Sequence, residues 1–263
     1  MISLIDPERS VSLALLQMLS GDGRRYLAVI EAYIDEGGTH SGSPILSVAA
    51  YGGAHEQWVE FLSLWGNQPF HARVDHALKP KLFNVIERCQ LEAVVAWVDP
   101  KDFDKHAALE LKRSLGNAYA VCAFACALQL QKLANQNSVG PISFVIEKGQ
   151  PNGEYIERVL KSVSAEENSG IAAVALADKR DFVQLITADF LAHSRSTSND
   201  WYRRLTEAGG VAAFHITPRR LEKISSQIEE MAKKYRYARD KRRKLARLKR
   251  KSGWKKFSTD QRP

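Results

Sequence analysis

Residues 26–38 read YLAVIEAYIDEGG, an apolar run that ends in two adjacent carboxylates, Asp35 and Glu36, and two glycines. Its length and its β-branched and aromatic content mark a strand. Carboxylates at the end of a buried strand cost solvation energy unless something offsets them. They are either a solvated strand end entering a Gly-Gly turn or half of a metal site. In an ideal strand, neighbours point to opposite faces, so only one of the pair can be a direct ligand. Asp35 is the choice, with Glu36 behind it.

The elements that follow place this strand. A Gly/Ser/Pro loop leads to a second strand, ILSVAAYGG, and then to a helix, AHEQWVEFLSLWG. After NQPFHARVDHAL and another short helix comes the strand LEAVVAWVD, stopped by Asp99-Pro100. A single long Ala/Leu-rich helix is expected from His106 to Ala134. The strand ISFVIEKG, a helix near NGEYIERVLKSV, the strand IAAVALAD and the helix DFVQLITADFLAHS complete the series. With one helical insertion set aside, the order is β-β-β-α-β-α-β-α. Three strands in succession pair as an antiparallel meander, and helix-separated strands pair in parallel through right-handed crossovers. That is the order of a ribonuclease H-like α/β sheet, with three antiparallel strands and then two parallel ones, flanked by helices. The expected division is an N-terminal helical segment at 1–24, a ribonuclease H-like domain at 25–198 with a helical insertion near 54–90, and a basic, mainly helical extension at 199–263.

Two more acids stand in costly places. Glu147 ends ISFVIEKG just before Lys148, and the sheet order sets that strand beside the one ending at Asp35. In DFVQLITADFLAH the apolar face of Phe182, Leu185, Ile186 and Phe190 also carries Asp189, with His193 one turn on. An Asp at the edge of the stripe, bonded to backbone or to His193, is the plain alternative. If Asp35, Glu147 and Asp189 converge, they cannot all stay ionised without a cation. Two divalent ions, Mg²⁺ or Mn²⁺, would meet that need with oxygen ligands. The same ions activate water and stabilise the leaving oxygen in phosphodiester hydrolysis.

The motifs YIDEGG, FHA at Phe70-His71-Ala72, FVIEKG and LITADFLAH resemble those of the family known as domain of unknown function 3800, itself expected to be ribonuclease H-like and nuclease-like. The resemblance covers roughly Tyr26 to Ser196. It implies an acidic site of Asp35, Glu147 and Asp189, with Glu36 and His71 nearby; His193, one turn from Asp189, is a further catalytic candidate from its own placement. Two positions depart from the family pattern. Gly37 stands where the family usually has Ser, which removes a hydroxyl beside the site. Glu147 stands where Asp is more usual, which lengthens its reach by one methylene.

Lesser candidates have simpler explanations. Asp178 and Asp181 bracket the start of the last helix, where N-capping suffices. Lys148 could meet a substrate phosphate, but a strand-end lysine needs no such role. There is no G-x-x-x-x-G-K-[ST] phosphate loop and no H-E-x-x-H zinc helix. Cys89, Cys122 and Cys126 are too few and too odd in number for a disulfide framework, which points to a reducing, cytoplasmic setting. Cys122 and Cys126 read as core thiols. No apolar run approaches the roughly 20 residues of a membrane span. The N-terminus has no basic start or small-residue cleavage site, and Asp6 and Pro7 suit the cap and first turn of a short amphipathic helix.

Charge is divided unevenly. From Arg219 onward there are 18 Lys and Arg against 5 Asp and Glu, a local +13, so the body before it is mildly acidic within the overall +8. Leu221, Ile224, Ile228 and Met231 keep helical apolar spacing. Beyond Tyr235 the chain is dominated by Arg239, Lys241, Arg242, Arg243, Lys244, Arg247, Lys249, Arg250 and Lys251, with Tyr237, Trp254 and Phe257 among them. Such runs are often simply solvated. Basic charge with interspersed aromatics also suits phosphate contacts and base stacking, so the expected partner is nucleic acid, DNA or RNA, with room for a protein partner and none for a membrane. The functional expectation is a metal-dependent nuclease. The alternative is a non-catalytic nucleic-acid-binding or partner-docking protein that keeps the fold and works through its basic tail.

Overall fold

The computed structural model of the chain describes residues 30–38, 43–136, 141–149, 153–164, 170–226 and 229. The helix expected within 1–24 and the basic residues from Arg239 to Lys251 lie outside the described residues.

Strand β1 (Ile30–Gly37) is the centre of the sheet. It pairs antiparallel with β2 (Leu46–Ala54), and β2 pairs antiparallel with β3 (Glu92–Val98). On its other side β1 pairs parallel with β4 (Ile142–Glu147), and β4 pairs parallel with β5 (Ile171–Ala177). This is the ribonuclease H-like arrangement expected from the element order. A sixth strand, β6 (Val211–His215), adds in parallel to β3 and gives the order β5-β4-β1-β2-β3-β6. The sequence reading did not foresee β6. It is a short edge strand with little buried surface, and it follows Gly209 and Gly210, which both take positive φ.

Helices cover both faces, so β1 and β2 are buried almost throughout and show no polar alternation. Helix α1 (His55–Trp65) and helix α2 (Lys79–Arg88), joined through a 3₁₀ turn at His76–Leu78, form the insertion between β2 and β3. The helix expected from His106 to Ala134 is instead two, α4 (Leu109–Leu115) and α5 (Ala118–Gln136), and a further short helix, α3 (Pro100–His106), precedes them. Ala107, in extended backbone, separates α3 from α4, and Gly116 breaks the expected helix at φ 76°. A stretch rich in helix formers hides such breaks from periodicity. Helix α6 (Gly153–Ser164) links β4 to β5. Helices α7 (Leu185–Ser196) and α8 (Asp200–Glu207) follow β5.

Two cores result. Ala32 and Ile34 of β1 face α4 and α5, where Cys122 and Cys126 are buried free thiols. Tyr33 of β1 faces Trp58 and Phe61 of α1 together with Leu185, Ile186 and Phe190 of α7. Trp58 anchors this side by donating its indole N–H to the Glu31 carbonyl at 3.0 Å. Residues 218–226 are helical, and Leu221 packs fully buried into the first core. Among the described residues no helix is long and apolar enough to cross a membrane.

Candidate functional site

The three acids singled out in the sequence meet at one end of the sheet. Asp35 is the sixth residue of β1 and points to the α7 side. Glu147 is the last residue of β4, one step beyond the Ile34–Ile146 pair, which brings it beside Asp35. Asp189 lies on the buried face of α7, as the apolar stripe required.

What joins them is a residue the sequence reading passed over. The Lys179 ammonium lies 2.8 Å from Asp35 Oδ2, 3.0 Å from Glu147 Oε1 and 3.5 Å from Asp189 Oδ2. The turn after β5 puts it there. Asp178 accepts from the Arg180 backbone N–H at 2.9 Å and grips the Arg180 guanidinium at 3.0 and 2.8 Å. Its carbonyl accepts from the N–H groups of Asp181 and Phe182. With Asp178 and Arg180 paired to each other on the outside, Lys179 is left to turn inward. Helix α7 therefore begins at Leu185, four residues later than expected, and Asp178 shapes this turn rather than capping the helix. Asp181 is exposed. A signal for Lys179 was present in principle, because three converging acids demand a cation and β5 runs beside β4.

The acids are held by more than the lysine. Asp35 Oδ1 accepts from the Glu36 N–H at 2.7 Å. Asp35 Oδ2 is sealed from solvent and takes no well-aligned hydrogen bond, so what faces it is the ammonium. Asp189 Oδ2 accepts from the Ala72 N–H at 3.0 Å. That bond explains the FHA stretch in physical terms. Phe70 packs edge-on against Phe190 of α7, and the turn closed by the His71 N–H to Asp75 Oδ2 aims the next amide at Asp189. The His71 side chain itself is exposed, and its Nδ1 accepts from the Arg73 N–H at 3.2 Å. His71 thus belongs to the rim, and Ala72 makes the contact.

Charge states follow from this crowding. Burial pushes the Asp35 carboxyl well above the ordinary range, against the pull of Lys179, and Glu147 and Asp189 push it further. Burial acts to lower Lys179, but Asp35, Asp189 and Glu147 together raise it, so it remains an ammonium. Glu36 points to the opposite face, as strand alternation requires, toward Tyr119 of α5. Both its carboxylate oxygens are buried, and burial, with Glu147 second, raises its pKa from 4.5 to about 7 against the pull of the Tyr119 hydroxyl. His193 is half-buried, and its pKa is lowered by burial and then by the charge of Lys79. Lys148 is exposed in the turn after β4, with its backbone N–H bonded to Ala177.

Among the described residues no three His, Cys, Asp or Glu side chains stand as a ready-made metal cage. The donor chemistry nevertheless suits a hard cation. Three carboxylates surround one point, and a positive group already occupies it as a stand-in.

No family model matches the chain, and no curated protein matches it. Among solved structures the chain is similar to the ribonuclease H2 of Pyrococcus horikoshii OT3, with a TM-score of 0.42 and 14% identity over 69% of this chain and 77% of that one. It is also similar to ribonuclease HII in its complex with PCNA from Archaeoglobus fulgidus, with a TM-score of 0.40 and 16% identity over 69% and 78%. The resemblance to the domain of unknown function 3800 family stands on the quoted motifs alone.

Proposed function

We propose that this chain is a metal-dependent nuclease. The observation that carries the reading is the gathering of Asp35, Glu147 and Asp189 around a single cation at 2.8 to 3.5 Å. Three acids drawn from β1, β4 and α7 into one nearly sealed place are expensive to keep, and a structural role needs only one ion pair. These three side chains would hold Mg²⁺ or Mn²⁺. The bound ions would supply an activated water and a counter-charge for the leaving oxygen. Ala72 fixes the orientation of Asp189, and the Glu36 N–H fixes that of Asp35. His193, half-buried one turn beyond Asp189, would offer a ring nitrogen at the rim for proton transfer. The basic residues from Arg239 to Lys251 would engage phosphates of DNA or RNA and supply affinity rather than chemistry.

One observation favours the alternative of a non-catalytic nucleic-acid-binding or docking protein. Lys179 already neutralises part of the acidic centre, so the fold can stand without a metal. A cleavage assay on single- and double-stranded DNA and RNA, with Mg²⁺ or Mn²⁺ and with chelator, separates the two. The nuclease reading expects metal-dependent cutting that Asp189→Asn abolishes. Absence of cutting on all four substrates, or equal cutting by the Asn variant, refutes it.

A further inference from the structure

We propose that Lys179 is a displaceable resident cation of the acidic centre: its ammonium holds Asp35, Glu147 and Asp189 together in the metal-free protein, and a divalent ion binds only by expelling it. The proposal rests on the metal-binding reading above and adds the step that controls loading.

The geometry carries it. The ammonium lies within ion-pair distance of all three carboxylates, so the space between them is taken. Its oxygens stand 2.8 to 3.5 Å away, whereas Mg²⁺ requires oxygen at about 2.0–2.1 Å. The metal-free cage is therefore sized for an ammonium, and loading requires the carboxylates to draw inward as the lysine leaves. A dication and an ammonium would repel each other strongly in so confined a place.

The lysine is also placed to leave. It belongs to a turn, not to a strand or helix, and its side chain keeps 21% of its surface exposed while that of Asp35 keeps 1%. The turn is held by the Asp178–Arg180 pair, which does not involve the ammonium. Rotation about the flexible four-carbon stem can carry the charge outward without unfolding the turn. The carboxylates are less free to swing out to solvent, since Asp35 and Asp189 each accept from a backbone N–H group.

The exchange has a thermodynamic consequence. A metal that binds only the lysine-out arrangement has its apparent affinity reduced by the fraction of molecules in that arrangement. If that fraction is about one in ten, removing the ammonium tightens Mn²⁺ binding about tenfold. A purely structural lysine would give the opposite sign, because its loss would loosen the cage and weaken the metal.

The test uses the full-length chain stripped with chelator, then titrated with Mn²⁺ by calorimetry and by thermal melting, as wild type, Lys179→Met, Lys179→Gln and Lys179→Arg. The neutral variants should melt lower than wild type without metal, recover with Mn²⁺, and bind Mn²⁺ at least about tenfold tighter. Lys179→Arg should bind as weakly as wild type. A second measurement needs no mutation. The ¹⁵Nζ resonance of Lys179, followed by NMR in the wild type, should shift or exchange-broaden as Mg²⁺ is added. If wild type binds the metal but the neutral variants bind no tighter, or the resonance stays fixed as Mg²⁺ binds, the displacement is refuted and the metal site stands. If no form binds either metal, both readings fall.

Discussion

Substituting Gly37 by alanine tests how α7 is seated over the acidic centre. Gly37 has no positive φ, so alanine suits its backbone. On conformational entropy alone the change should stabilise the chain by about 0.4–1 kcal/mol. Sterics oppose this. A Cβ at position 37 would stand 2.6 Å from the Ala192 carbonyl oxygen, 2.7 Å from its carbon and 3.0 Å from the His193 nitrogen, where ordinary contact begins at 3.4 Å. These are backbone atoms of α7, which cannot swing aside as a side-chain tip can. The helix must retreat by about 0.8 Å, and such overpacking costs about 1–3 kcal/mol. It would also stretch the bond from Ser47 Oγ to the Ala192 carbonyl, now 2.8 Å. The steric effect wins, for a net loss of about 1–2 kcal/mol. Urea denaturation in chelator should show a lower midpoint with unchanged slope. Gly52→Ala is the control, since its Cβ would meet the Leu130 side chain at 3.3 Å and that methyl can yield. Because Asp189 precedes Ala192 by one turn, Gly37→Ala should also shrink any metal-induced thermal shift. A Gly37→Ala protein as stable as wild type would refute the close seating of α7.

Other outcomes follow from the same geometry. Glu36 has a folded pKa of about 7 against 4.5 when free, so its contribution is favourable below pH 4.5 and lost as pH rises to about 7. Glu36→Gln in chelator should therefore match wild type near pH 4.5 and be more stable at pH 8, by up to about 3 kcal/mol, in paired melts. Mn²⁺ at a hundredfold excess over its dissociation constant should stabilise wild type by about 2.7 kcal/mol, which Asp189→Asn should largely abolish in a thermal-shift assay. Leu221 is fully buried, so truncation at Thr217 would damage the core, whereas truncation after Lys234 spares it. The shorter cut should flatten the slope of log affinity against log salt by about four to five units if five or six basic side chains engage phosphates. An unchanged slope would remove the tail as the nucleic-acid contact.

The fold was legible where hydrophobic pattern and turn chemistry agreed. The five main strands, the insertion and the antiparallel-then-parallel order all follow from runs bounded by Gly, Pro or Asp. Two features were not legible. The break at Gly116 between α4 and α5 is hidden by the helix-forming residues on either side of it. A five-residue edge strand that buries little leaves almost no pattern. In both cases the decisive events are single backbone conformations, at Gly116, Gly209 and Gly210, which periodicity does not register.

The site divides along the same line, for a different reason. Its acids could be found because each breaks a local rule: a carboxylate ends a buried strand or interrupts an apolar stripe. The groups that make those acids tolerable break none. Lys179 lies in a polar turn and reads as solvated. Ala72 acts through its backbone N–H, which carries no sequence identity, and Gly37 acts by lacking a side chain. Yet these three decide what the acids can do. Gly37 lets α7 approach closely enough to present Asp189. Ala72 orients that carboxylate, and Lys179 supplies positive charge at the point where the acids meet. A chain with the same acids and an alanine at position 37 would keep every residue of the acidic motif while holding Asp189 farther from its partners. The acids mark the site, and the unremarkable residues around them set how closely they converge and what charge they face.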